Sequence, residues 1–149
     1  MFEPKKILVP TDFSRYSDVA LRQAVAIAQQ HKSKLYLLHV IGMIHQCSVD
    51  YCIDNATVEA LEKKSIKTSK EMMEKQVRRV AKSGDVEIIT DVRKGTPYKE
   101  ILKEQENKKI DLIVIAAHGK TGILGHLMGI VAEKVSKHAK CAVYMVRGK

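Results

Sequence analysis

The chain has 149 residues, with 26 Lys and Arg against 17 Asp and Glu, for a formal net charge of +9. Its 45% hydrophobic and 29% charged content excludes a disordered chain, and no apolar run reaches the roughly 18 residues of a membrane span. Aromatics are only 5%, Trp is absent and the basic residues are dispersed, so no nucleic-acid partner is expected. Residues 1–149 read as one domain, and the short apolar run after the N-terminus is no signal peptide, so a cytoplasmic protein is expected.

Lys6 to Pro10 is a short β-branched run that reads as a buried strand. Thr11-Asp12-Phe13-Ser14 follows, a cluster of capping residues. From Arg15 to His31 the apolar positions recur at helical spacing, with Ser14 or Asp12 as N-cap. Lys34 to Ile41 is a second buried strand, and Gly42 to Asn55 is a long loop without period. Ala56 to Ser83 reads as a helix with an apolar stripe that includes Val58, Leu61, Met72, Met73 and Val77, closed by Gly84. Val86 to Val92 is a third strand. Thr96 and Pro97 then start a helix that runs to about Asn107. Asp111 to Ala117 is the most apolar run and reads as a central strand. A glycine loop follows, then a short helix from about Ile130 to His138, and a last strand at Cys141 to Val146.

Strands alternate with helices, and each strand reads as buried on both faces. The pattern predicts an α/β fold, an open parallel sheet with helices on both faces in three layers. In such a sheet ligands sit beyond the carboxyl ends of the strands. Four loops lie there: Thr11–Ser14, Ile41–Asn55, Arg93–Thr96 and His118–Gly129.

The last of these holds four of the eight glycines. Glycines let a backbone approach a phosphate, and the helix opening near Gly129 offers free N–H groups and a positive dipole end. Gly119-Lys120-Thr121 is not a P-loop, because the earlier glycine that motif needs is Val114 here. A glycine-rich turn that serves only helix entry is the alternative reading.

The segments KILVPTDFS, DLIVIAAHGKTG and GIVAEKV are similar to those of the universal stress protein family, and the similarity runs over the whole chain. The resemblance implies a Rossmann-like, five-stranded parallel sheet of order 3-2-1-4-5, related to the adenine nucleotide alpha hydrolases. It also implies a common homodimer, no assigned metabolic reaction and, in many members, ATP bound through G-x2-G-x9-G-[ST]. On this chain the motif falls on Ala116, Gly119, Gly129 and Ile130, so its first and last positions depart. The resemblance further assigns Pro10, Thr11 and Asp12 after the first strand, Val40 at the end of the second, and His118 and Val131 around the glycine loop to the nucleotide site. Weak ATP binding without efficient turnover is therefore expected. The other readings are an interaction dimer without nucleotide and a metal- or redox-responsive variant.

Taken singly, these residues keep two readings. Asp12 is a contact to ribose or base, or a cap at a helix start. His118 lies beside the glycine loop but has no visible nucleophile partner. Lys120 either neutralises phosphate or is solvated, and His126 reads as a surface residue. His39, inside the second strand, reads as a satisfied core histidine. His45, Cys47 and Cys52 form H-x-C-x4-C, soft donors that suit zinc, with packed or free thiols as the alternative. Cys141 reads as a small core residue. Three cysteines without an export signal argue against a disulfide framework. The run from Cys141 to Val146 carries no charge and no Pro, which leaves a sheet edge free to pair with a second copy.

Overall fold

The computed structural model describes residues 1–43, 52–82, 84–119 and 129–148. Nine elements alternate along the chain: β1 (Lys6–Pro10), α1 (Arg15–His31), β2 (Lys34–Ile41), α2 (Asn55–Val80), β3 (Ile88–Lys94), α3 (Pro97–Lys108), β4 (Leu112–Ala116), α4 (Ile130–His138) and β5 (Ala142–Val146). The strands form one parallel sheet in the order β3-β2-β1-β4-β5. The order reverses between β1 and β4, so the crevice of this fold lies where those two strands end.

Side chains that alternate along each central strand feed two cores. Ile7, Val9, Leu35 and Leu37 face α1 and α2, where Leu21, Ala24 and Met73 meet them. Leu8, Leu38, Ile113 and Ile115 face α3 and α4, where Ile101, Ala132 and Val135 close the other layer. Burial on both faces holds for β1 and β4 and for most of β2, but not for the outer strands. β3 and β5 are edges, and Thr90, Asp91, Ala142 and Tyr144 are exposed.

Helix ends follow local chemistry. Ser14 caps α1 by accepting the Ser17 N–H at 3.2 Å, and Asp54 caps α2 by accepting the Thr57 N–H at 2.7 Å. α2 therefore begins at Asn55 and ends at Val80, before the predicted Ser83. Its buried face also differs from the predicted stripe. Leu61 and Met72 are exposed, whereas Ser69 and Gln76 are buried beside Val58 and Met73. β3 lies two residues later than predicted, because its register with β2 runs from Leu35↔Ile88 to Ile41↔Lys94. An edge strand shares too little apolar burial to mark its own ends.

Candidate functional site

Beyond Pro10 the backbone turns sharply. Phe13 has φ 66°, left-handed and unusual for a bulky residue. Its ring lies 4.3 Å from that of His39. The turn is held by its own side chains. Phe13 N–H donates to Thr11 Oγ1 at 3.1 Å, and Ser14 N–H donates to Asp12 Oδ1 at 3.0 Å. Asp12 is not the cap of α1, which is Ser14, and its two oxygens do different things. Oδ1 supports the turn. Oδ2 faces the glycine loop, where a methyl built on Gly119 would lie 3.4 Å from it.

Thr11 is wholly engaged in this scaffold. Its N–H donates to the Leu38 carbonyl at 2.8 Å, and its carbonyl accepts from His39 Nδ1 at 2.8 Å. A carbonyl cannot donate, so the proton sits on Nδ1 of His39. His39 is satisfied, as expected, and it also fixes the turn from below.

Across the crevice, Ala117 N–H donates to the Val146 carbonyl at 2.8 Å and Gly129 N–H to the Ala117 carbonyl at 2.6 Å. Gly119 and Gly129 are thereby drawn together. A methyl on Gly129 would meet the Ala117 carbonyl oxygen at 3.3 Å and the Gly119 nitrogen at 3.6 Å. Gly129 caps α4 without any side-chain bond. The N–H groups of Ile130, Val131 and Ala132 therefore lack intrahelical partners, at the positive end of the helix dipole.

The two departures from the nucleotide motif sit differently. Ala116 belongs to β4 and has no positive φ, so its methyl brings no backbone strain. Ile130 opens α4 with its side chain 71% exposed, at the mouth of the crevice. Val131 packs on the α3–α4 core, as does Val40 at the end of β2. The His118 ring lies 5.7 Å from Tyr16, an α1 residue whose sequence position gave no sign of it. Gln76, buried beneath the Thr11 turn, also escaped the sequence reading, because a lone glutamine on an amphipathic helix carries no signal.

Lys120, His126, His45 and Cys47 lie outside the described residues. Cys52 is disulfide-bonded and Cys141 is free, which corrects the reading of Cys52 as a packed or free thiol. It also corrects Cys52 as a zinc ligand, since zinc takes a thiolate and a disulfide sulfur is not one. Among the described residues no three His, Cys, Asp or Glu side chains gather as a metal centre would need. Cys141 is partly buried against the α3–α4 core, and burial pushes its thiol up, as suits a packing residue.

Fold and crevice together define an open, doubly wound α/β protein with its loops converging at the strand-order switch. The family model of the universal stress proteins matches residues 3–147. The chain belongs to the universal stress protein family. It is 34% identical to universal stress protein MJ0531 of Methanocaldococcus jannaschii over 143 residues, 96% of this chain and 82% of that one. The solved universal stress protein UspA of Lactobacillus plantarum superposes with a TM-score of 0.83 at 26% identity, covering 99% of this chain and all of the other. The solved M. jannaschii protein MJ0577 gives a TM-score of 0.84 at 31% identity, covering 99% of both chains. Among the described residues no helix is long and apolar enough to cross a membrane.

Proposed function

We propose that this universal stress protein binds an adenine nucleotide, ATP or a relative, in the crevice between the Asp12 turn and the α4 N-terminus, and that it acts as a sensor rather than a turnover enzyme. The observation that carries this reading is the opposition of the free Asp12 Oδ2 to a backbone cradle of Gly119, Gly129 and the uncapped start of α4. A carboxylate suits ribose hydroxyls, which donate to it. A helix N-terminus with glycine backbone suits phosphate. Two solved proteins of the same fold were obtained in complex with cAMP and with dAMP, at TM-scores of 0.69 and 0.68. Among the described residues no base–nucleophile pair meets at the site, which supports binding over chemistry. A homodimer paired through β5 completes the reading.

The missing hydroxyl at Ile130 weakens the phosphate end. A hydrogen bond to a charged group is worth about 1.5–3 kcal/mol, so Ile130→Ser is expected to tighten ATP about tenfold or more by calorimetry. Ala116→Gly adds little, since the strand there has no positive φ. An Ile130→Ser variant that binds ATP no better than the parent would remove the phosphate from the α4 end.

A further inference from the structure

We propose that Gln76, on α2, is a positioning residue for the Asp12 turn, so that the crevice takes part of its shape from a buried residue of α2. Gln76 is 1% exposed, and the two hydroxyls that it meets, Thr11 and Ser17, are 6% and 2% exposed. The cluster pairs its buried polar atoms with one another, and one arrangement satisfies them all. The Ser17 hydroxyl donates to the Ser14 carbonyl at 2.8 Å, so its oxygen only accepts among the cluster. Gln76 Nε2 uses its two protons on Asp18 Oδ1 at 2.8 Å and Ser17 Oγ at 3.3 Å. The Thr11 hydroxyl donates its one proton to Gln76 Oε1 at 2.9 Å. Its lone pairs then face the Phe13 N–H, which donates to Thr11 Oγ1 at 3.1 Å.

That last bond holds the left-handed Phe13, and Phe13 sets the direction in which Asp12 presents Oδ2 to Gly119. Gln76 is the acceptor that orients the Thr11 hydroxyl for this task. Without it, the hydroxyl proton turns to Ser17 Oγ, 3.0 Å away, which disturbs the acceptor geometry at Phe13. Arg79, one turn on, donates to both oxygens of Asp18 at 2.9 Å and seats this part of α2 on α1. The ligand part of the inference rests on the nucleotide reading above; the positioning part does not.

The test is amide hydrogen exchange on the full chain without nucleotide, followed by ATP calorimetry. Gln76→Met keeps the volume and removes both ends of the relay. It is expected to lower protection at the Phe13 and Ser14 amides at least tenfold relative to the Leu8 amide in β1, and to weaken ATP about tenfold. Gln76→Leu serves if Gln76→Met does not fold, and Thr11→Val, which removes the Phe13 acceptor itself, marks the full loss of turn protection. Lys94→Met is the control. It breaks a different α2 tether, the 2.9 Å pair of Lys94 with Glu62, and is expected to leave the turn amides and the ATP affinity within twofold. Turn protection that is unchanged in folded Gln76→Met or Gln76→Leu, or that falls equally in Lys94→Met, overturns the positioning role. A loss of turn protection in a chain whose parent binds no ATP upholds that role and overturns the nucleotide reading instead.

Discussion

The two edges of the sheet occupy equivalent places and are built from opposite chemistry. β3 carries Asp91, Arg93 and Lys94, and ion pairs surround it: Arg93 with Glu100 at 2.8 Å, Lys94 with Glu62 at 2.9 Å and Lys34 with Glu87 at 3.7 Å. β5 carries no charged residue, and Tyr144 is 45% exposed on it. An edge strand leaves half its backbone groups unpaired, and charged side chains are the usual deterrent to a second strand. The β3 edge has that deterrent and the β5 edge does not. This places the proposed self-association on β5, and it leaves β3 to be stabilised within the chain.

The sharpest way to break the contrast is to strip the charge from β3. Arg93 reaches Glu104 at 3.6 Å as well as Glu100, and the two carboxylates are 3% and 10% exposed. Removing one partner of a buried pair costs about 3–5 kcal/mol. Burial, and next the Asp91 carboxyl, already push Glu104 above its usual range, and Arg93 is the group that opposes this. Arg93→Ala is expected to cost about 3 kcal/mol, read from urea unfolding at neutral pH.

Adding charge to β5 is the converse. In a symmetric pair each copy brings its own Tyr144 to the interface, so Tyr144→Lys sets like charges against each other. The dimer is expected to weaken at least tenfold, about 1.4 kcal/mol, by sedimentation, with little change in the unfolding of the monomer. Equal association of parent and variant would move the interface away from β5.

The smallest effect separates charge from packing at the β3 edge. Burial raises the Glu100 carboxyl, but the bonds from Arg93 and Lys103 outweigh burial and leave it below its usual range. A carboxylate lowered on folding stabilises the fold above its unfolded value, about 4.3, and that contribution is lost as pH falls through the lower folded value. Glu100→Gln is therefore expected to cost about 1 kcal/mol at pH 7, and the deficit should fade in acid below pH about 4. Glu104, raised on folding, has the opposite sign: its contribution is present in acid and is lost as pH rises. A Glu100→Gln deficit that is independent of pH would assign the effect to packing alone.

Much of this architecture is written in local pattern. The apolar runs at Lys6–Pro10 and Lys34–Ile41 and the Ser14 cap of α1 are read from composition and spacing, because strand burial and helix capping depend on neighbours in sequence. Asp12, Gly119 and Gly129 are legible for the same reason, as residues that punctuate strand ends in this fold. Which of them meet is a matter of three-dimensional approach. Asp12 and Gly119 face one another only because β1 and β4 are neighbours in the sheet, a long-range pairing with no local signature. The identity of the edges, and hence the exposure of β3 and β5, follows from strand order and not from hydropathy. Gln76 is the clearest case. Its helical position alone marks it as surface or filler, and its value comes from Thr11, Ser17 and Asp18 converging on it, from a segment some 60 residues earlier in the chain. Periodicity states which face of an element turns inward. The partners that a buried polar atom finds there are set by packing, and packing exists only once the chain has folded.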